Sequence, residues 1–510
     1  MRRTIRQFGI FLGLFLVSFY LAIAAGINRG DEAWFLQVLR RVAAGERLYG
    51  DVFYGAGPVA VYVALPGIYL FGVEVIVVKA VVAGGYAAAL LLGARALQRL
   101  GVPLGFRLLF LAANLILAPP PAAATYQTLA NTFLMAAFDA TIAAQRSRPL
   151  ARRAARQRLA GAWAGLAFAT KQNIGGYALI AALLAIALES TRGERWQQIA
   201  GTIGAFLLAG LLPFLPVVLE GSLPQFIDYG LTNKTTYLQL SGIPYHEGIQ
   251  SFIQGLRSLS LRSTTEQVLG VVKFSAFLLP FVLLAMGLAL FPGLDAEQRR
   301  RGSMVALFAG AAFLGVFPRA DYAHLIYAVP ALLVMGMWML AEGWTRLGDR
   351  WGRGFRWGTA SLVAIGVIGL LTAVLVRVPI RVLQGRLVVS DLPHFRGALI
   401  DPGLREGVRQ DIAALASLRE EEPVFLLYGF AGFYYLLTGL RNPTPFDLPL
   451  ATAFGRHGQE EVIAAIRTGR IRTVCWEKWD WILRPAQVEN FVAHHLRPVG
   501  RMGPCVLYRR

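Results

Sequence analysis

Three places in the sequence set ionisable side chains at the ends of long apolar runs, where desolvation is costly unless the charge is used. Asp31 and Glu32 follow the first such run. Lys171 closes Phe168-Ala169-Thr170-Lys171, ahead of Gln172-Asn173-Ile174-Gly175-Gly176. The third is Phe317-Pro318-Arg319-Ala320-Asp321-Tyr322-Ala323-His324, which packs a cation, an acid and an imidazole into one short turn. A carboxylate such as Asp31 can serve as general base, taking the proton from an acceptor hydroxyl as that oxygen attacks the anomeric carbon of a sugar. Arg319 can grip phosphate oxygens through its forked guanidinium, with His324 adding a hydrogen bond and Asp321 orienting either one. The Lys171 ammonium suits the phosphate of a lipid carrier.

Each of these has a plainer structural reading, and the residues alone leave both open. Asp31 can cap an amphipathic interfacial helix over 32–44, with Glu32 in its first turn. Lys171 can snorkel to an interface. Arg319 can pair with Asp321 while His324 caps backbone carbonyls. Weaker candidates for substrate contact are Asp51 and Tyr54 in the first loop and Tyr237 and His246 in a second long loop over 220–267. That loop also holds Asp228, Tyr229, Asn233, Lys234, Tyr245 and Glu247, types suited to carbohydrate through ring stacking and hydroxyl contacts.

No metal or cofactor is expected. The two cysteines, Cys475 and Cys505, stand far from metal-ligand spacing. There is no G-x-S-x-G, H-E-x-x-H, Walker loop or strand-linked G-x-G-x-x-G. In an oxidising compartment Cys475 and Cys505 are able to form a disulfide.

The elements that must position these side chains are set by composition. The chain has 510 residues, 56% hydrophobic and 16% charged, and its mean hydropathy is +0.52. Apolar runs long enough for a hydrocarbon core of about 30 Å are expected at 8–27, 73–97, 107–121, 126–144, 159–171, 176–189, 197–219, 268–291, 303–317, 325–342 and 357–377, about eleven spans. The net charge of +20 comes largely from arginines between these runs, at 1–6, 95–107, 146–158, 192–195, 299–301 and 346–356. That is the positive-inside pattern, not a nucleic-acid surface. It places those loops and the N-terminus in the cytoplasm, and the loops 28–72 and 220–267 outside. After residue 377 short β-like runs (424–428, 472–476, 505–509) alternate with helical stretches (411–418, 459–468, 487–495). The expected organisation is a transmembrane module over 1–377 and a small extracytoplasmic α/β domain over 378–510.

The order of motifs resembles the C-type (GT-C) integral membrane glycosyltransferases, especially the bacterial relatives of protein O-mannosyltransferases and of the aminoarabinose lipid A transferase. The resemblance rests on Arg29-Gly30-Asp31-Glu32, Gly45-Glu46-Arg47-Leu48-Tyr49-Gly50-Asp51-Val52 and Gly57-Pro58 in the first loop. It extends through Gly161-Ala162-Trp163-Ala164-Gly165-Leu166-Ala167-Phe168-Ala169-Thr170-Lys171 and Pro318-Arg319-Ala320-Asp321-Tyr322-Ala323-His324. It implies a helical membrane fold with a lipid-facing groove, a first-loop acid as base, matched by Asp31 with Glu32 beside it, and a polyprenyl-phosphate sugar as donor. It also implies an accessory C-terminal module outside the cytoplasmic (inner) membrane. The first loop lacks the second acidic cluster of metal-dependent oligosaccharyltransferases. The reading is therefore inverting transfer to a hydroxyl of a glycan, lipid or protein, with Lys171, Arg319 and His324 on the departing phosphate. Its rivals are a transporter or flippase of lipid-linked sugars and a non-catalytic envelope-assembly protein.

Overall fold

The computed structural model describes residues 2–120, 125–147, 149–190, 192–258, 264–421, 423–478 and 483–510. Runs of Ala, Leu, Val and Gly close every backbone hydrogen bond within a helix, which an apolar solvent demands. The membrane part is accordingly a bundle of α1 (Arg2–Ala24), α4 (Val75–Arg99), α5 (Leu104–Leu117), α6 (Thr125–Gln145), α7 (Leu150–Phe168), α8 (Gln172–Glu189), α9 (Arg192–Leu211) continued by α10 (Leu215–Leu219), α14 (Thr264–Leu290), α15 (Ala296–Leu314) and α17 (Val329–Leu383). Between α1 and α4 lie α2 (Asp31–Ala43) and α3 (Val59–Phe71). Among the described residues six helices are long and apolar enough to cross a membrane, so the chain is a multi-pass membrane protein. The turn after α5 lies partly outside the described residues.

Two sequence expectations change here. The spans expected at 325–342 and 357–377 are the two arms of one helical segment, α17, joined by helical backbone at 346–356 in place of a loop. That stretch has no proline, and helical backbone runs through it despite Gly348, Gly352 and Gly354. Both ends of α17 nevertheless lie on one face of the bundle: Tyr20 Oη donates to Leu375 O at 2.6 Å near the end of α1, while Asp321 caps α16 (Tyr322–Leu325) just ahead of the N-terminal end. Arg346, between the two arms, reaches Gly293 O at 2.6 Å at the far end of α14. The second loop, 220–267, is likewise mostly helical, as α11 (Leu223–Phe226), a π-helical turn (Ile227–Thr232), α12 (Lys234–Ser241) and α13 (Tyr245–Ser258).

The basic stretches gather on the face opposite that of Asp31. Arg99 pairs with the Asp139 carboxylate of α6 at 2.6 Å, while Arg156 donates to Ala143 O at 2.5 Å and Arg195 to Ser190 O at 3.1 Å, at the C-terminal ends of α6 and α8. Helices α7 and α9 touch through small residues: a Cβ on Gly161 would meet Thr202 O, and one on Gly165 would meet Phe206 O. This is the small-x-x-x-small packing that lets membrane helices approach closely.

The C-terminal region begins with a short ladder of β1 (Val388–Val389) and β2 (Leu399–Ile400), then α18 (Pro402–Ala416). A four-stranded sheet follows, in order β3 (Val424–Leu427), β4 (Thr473–Trp476), β6 (Cys505–Arg509), β5 (Arg497–Met502). Strands β3 and β4 are parallel, as a crossover through α19 (Ala431–Thr438) and α20 (Gly458–Arg467) requires, and α21 (Ala486–His495) leads into an antiparallel β5–β6 hairpin. Cys475 and Cys505 are joined in a disulfide with Cα atoms 5.5 Å apart.

Candidate active site

Helix α2 carries Asp31 at its first position, and two separate parts of the molecule hold the helix. Toward the bundle, Glu32 Oε1 accepts from Lys79 Nζ at 2.9 Å, both side chains fully buried. The same ammonium donates to Ala22 O and Gly26 O at 3.0 and 2.8 Å, satisfying carbonyls where α1 ends. Toward the C-terminal region, Arg41 pairs with the buried Asp447 at 2.8 Å and also donates to Thr444 O and Asp51 O. Gln37 donates to Asp447 as well, at 3.1 Å, and Gly432 packs against the backbone of Trp34. The expected interfacial amphipathic helix over 32–44 is thus a buried strut, with Ala33 to Leu39 enclosed. Its second buried face is matched by a partner about four hundred residues downstream, beyond the reach of any local pattern.

Asp31 does not cap this helix. Gly30 is the cap residue and no side chain closes the end. The Asp31 carboxylate has no hydrogen-bond or ion-pair partner among the described residues; it is open to solvent yet walled by protein, the situation of a group lining an internal cleft. Burial raises its pKa above the ordinary aspartate value; the positive charges of His324 and Arg319 pull it down and Asp321 pushes it up. Tyr126, Tyr237 and Tyr327 complete the wall within electrostatic reach of it.

The opposite wall is the turn between α15 and α16, which follows a cis Phe317-Pro318 bond. Residues 243 and 318–320 bind it to the second loop: Ile243 N donates to Pro318 O and Ala320 N to Ile243 O, both at 3.0 Å. Gly248 fits against Ala320 O, where a Cβ has no room. Asp321 organises the turn, accepting from Arg319 Nε at 2.7 Å and from His324 N at 3.0 Å, and meeting His324 Nδ1 at 2.6 Å. These contacts hold the Asp321 carboxyl at about 2 against the opposing effect of burial. They use only one edge of each partner. The two terminal nitrogens of Arg319 have no acceptor among the described residues, and Nε2 of His324 is likewise unoccupied. The plainer pairing of Arg319 with Asp321 is therefore present, with hydrogen-bonding capacity left over, while the His324 ring meets the Asp321 carboxylate instead of capping backbone carbonyls.

Lys171 lies in the turn between α7 and α8, which the first loop grips through Gly57 N to Thr170 O at 3.1 Å and Val59 N to Ala169 O at 3.3 Å. Gly57 sits so close to Ala169 O that no Cβ fits. The Lys171 ammonium has no acceptor among the described residues; burial, and then Lys234, lower its pKa to about 7. Lys234 donates to Gly55 O at 2.8 Å and stands 5.8 Å from the centre of the Tyr237 ring, which also faces Asp31 and Arg319. Its own pKa falls to about 8 through burial. The cleft therefore runs from Asp31 past Tyr237 to a pair of unneutralised lysines.

Three weaker candidates stand elsewhere. Asp51 is tied to Arg47 at 2.9 Å near the surface. Tyr54 is buried behind the cleft in an aromatic cluster with Trp34, Phe35, Tyr49 and Tyr126. His246 is largely exposed, 3.9 Å from Glu247. The sequence reading misses Lys79, Tyr126 and Tyr327, and it counts Lys234 only as a carbohydrate-type loop residue. A lysine inside an otherwise apolar run, as at Lys79, is the signal that was there to find. Among the described residues no three His, Cys, Asp or Glu side chains converge as a metal site would require.

No family model matches the sequence, and no curated protein does. Solved structures match over nearly the whole chain. ArnT from Cupriavidus metallidurans in the apo state aligns with a TM-score of 0.56 at 14% identity, over 99% of this chain and 98% of that one. The same protein bound to undecaprenyl phosphate aligns with a TM-score of 0.54 at 15% identity, over 98% and 97%. The Archaeoglobus fulgidus oligosaccharyltransferase aligns with a TM-score of 0.54 at 13% identity, over 92% and 69%. The polypeptide thus has the fold of the GT-C integral membrane glycosyltransferases, with the first-loop acid, the late cationic turn and the C-terminal region in one assembly.

Proposed function

We propose that the protein is a glycosyltransferase that moves a sugar from a polyprenyl-phosphate donor to a hydroxyl of a glycan, lipid or protein acceptor. The observation that carries this reading is the enclosed, unpartnered Asp31 carboxylate facing free donor groups of Arg319 and His324 across one cleft. Undecaprenyl phosphate is the ligand held by the similarly folded ArnT. In the step, the acceptor oxygen loses its proton to Asp31 and bonds to the anomeric carbon as the carbon–oxygen bond to phosphate breaks, with inversion. The electron pair departs with the polyprenyl phosphate, whose charge Arg319, His324 and the lysines Lys171 and Lys234 stabilise in a water-poor cleft. Because the basic stretches lie opposite the cleft, positive-inside topology sets the N-terminus in the cytoplasm and the cleft and residues 378–510 on the outer side of the cytoplasmic membrane.

The test is release of lipid phosphate from a panel of polyprenyl-phosphate sugars by the purified protein, with Asp31→Asn alongside. Turnover by the natural protein and its loss by about 10²–10⁴-fold in the variant is the expected result. Equal turnover by both removes Asp31 from the role of base; no turnover by the natural protein with any donor removes the transferase reading.

A further inference from the structure

Two stretches of the C-terminal region, 462–476 and 490–510, contain no Asp or Glu and carry seven arginines. The fold brings six of them to one end of the four-stranded sheet. Helix α20 finishes at Arg467 and strand β4 starts at Thr473, with Arg470 and Arg472 between them; β6 ends at Arg509, ahead of Arg510, and β5 starts at Arg497. In the ladders Arg497 is directly opposite Arg509 and Arg509 is opposite Thr473, so the next step outward along that register sets Arg472 against Arg510. Cross-strand neighbours lie about 5 Å apart. Arg510 Nη1 in turn donates to Arg467 O at 3.1 Å, which ties the end of α20 to the same corner.

Like charges set opposite one another on neighbouring strands repel, and a merely solvated face intersperses acids among its cations. Arg467, Arg470, Arg472, Arg497 and Arg510 are all exposed and form no ion pair among the described residues. The acidic run at 420–422 precedes β3, the edge strand farthest from β5, and Glu489 is buried 3.9 Å from Arg484. The C-terminal dipole of α20 favours a cation at Arg467, but the arginines of the strand ends lie on no helix. Positive-inside topology does not explain them either, since the C-terminal region is clamped to α2 on the Asp31 side of the bundle. A guanidinium fork matches the paired oxygens of phosphate or carboxylate, so the corner fits a chain of repeated anionic groups. Bases find no stacking platform there among the described residues: Phe491 is buried, with the Arg467 guanidinium 5.1 Å and the His495 ring 4.3 Å from its centre, and Tyr508 packs on Trp476 at 5.4 Å. A membrane surface is a poorer match, because the other end of the sheet is the one beside the first loop, where the Phe430 ring meets Arg29 at 4.5 Å just after α1. The length of a four-residue strand, about 13 Å, separates the two ends.

We propose that this arginine corner binds an acidic glycan, a saccharide polymer bearing repeated phosphate or carboxylate groups. The choice of a glycan among polyanions rests on the transferase reading given above; the anion-binding corner itself does not. A polymer held at the far end of the sheet is kept at high local concentration beside the cleft without occupying it.

The experiment measures binding of labelled polygalacturonate, phosphomannan and neutral dextran, and of a single-stranded oligonucleotide, to the full-length protein in zwitterionic nanodiscs over a range of salt concentrations. The natural protein should bind at least one of the two acidic glycans and not dextran, and the one preferred tells carboxylate from phosphate. The triple variant Arg472→Gln, Arg497→Gln, Arg510→Gln should weaken that binding roughly tenfold or more and flatten the slope of log Kd against log[salt] by about 2–3. A control triple on exposed arginines of the opposite face, Arg152→Gln, Arg158→Gln, Arg299→Gln, should leave the affinity within about twofold. The corner variant should unfold at the temperature of the natural protein or higher, because opposed like charges are gone, and this separates lost binding from lost folding. Asp31→Asn should bind normally, since binding needs no base, so a failed turnover assay leaves this result standing. Binding of neither acidic glycan, equal loss in the two triple variants, tighter binding of the oligonucleotide than of both glycans, or binding only to vesicles of phosphatidylglycerol overturns the proposal.

Discussion

The two ends of α2 are built in opposite ways. At its C-terminal end Arg41 is saturated, with Glu46 at 2.6 Å, Asp447 at 2.8 Å and two backbone carbonyls. At its N-terminal end Asp31 has no partner at all among the described residues, although its neighbour Glu32 is fully paired. Breaking a buried pair costs stability, whereas the Asp31 carboxylate, open to solvent, has no pair to lose. Satisfied groups fix the helix; the unsatisfied one is the group the proposed function assigns to a reactant.

Substitutions at the two ends should therefore fail in different assays. The largest effect is expected at Asp31, where Asn should remove turnover by the factor given above and leave the thermal unfolding temperature unchanged or higher, because an unpaired carboxylate is gone. Asp447→Ala should do the reverse in kind: it strips the acceptor from Arg41, Gln37 and Asn442, destabilising by about 3–5 kcal/mol in detergent unfolding. Lys79→Met leaves Glu32 buried and unpaired and should cost a similar ~3 kcal/mol, while Lys79→Met with Glu32→Met should regain most of it. Full additivity of the two changes would dissolve the pairing argument.

A smaller effect sharpens the electrostatics of the Asp31 end. On the proposed reading Asp31 acts as a base only when deprotonated, so activity should be present above its pKa and lost as pH falls through it. Its pKa is already raised by burial and held down in part by Arg319. Arg319→Gln should then move the acid limb of kcat/KM to higher pH; a limb that stays put, or moves to lower pH, assigns it to another group. The smallest effect is expected at Asp51, whose pairing with Arg47 is near the surface. Asp51→Asn should change neither turnover nor unfolding temperature measurably.

Legibility in the sequence followed the distance over which each feature is encoded. The apolar runs, the basic stretches and the strands at 424–427, 473–476 and 505–509 depend on neighbours in the chain, and the sequence marks them well. Asp31 and the Arg319–His324 turn were legible because an ionisable group beside a span is costly in any fold. What distinguished Asp31 from Glu32 was not legible, since it depends on Lys79 reaching across from α4. Asp51 and Tyr54 looked alike to Asp31 in loop position, but a local arginine claims one and an aromatic cluster the other. The helical joint within α17 was hidden because a basic stretch holding Gly348, Gly352 and Gly354 reads as a loop both by charge and by backbone propensity.

The partners of α2 also set a timetable for synthesis. Arg41 and Asp447 are 406 positions apart, and at translation rates of about 5–20 residues per second the interval between them is on the order of 20–80 s. For that time the strut bearing Asp31 is held by Lys79 and by the local contacts of Arg41 with Glu46 and Asp51 O, and a ribosome-bound chain lacks the clamp at Asp447 until that segment emerges. The surroundings of Asp31 are thus among the last features of the molecule to be completed, although Asp31 itself is among the first residues to be made.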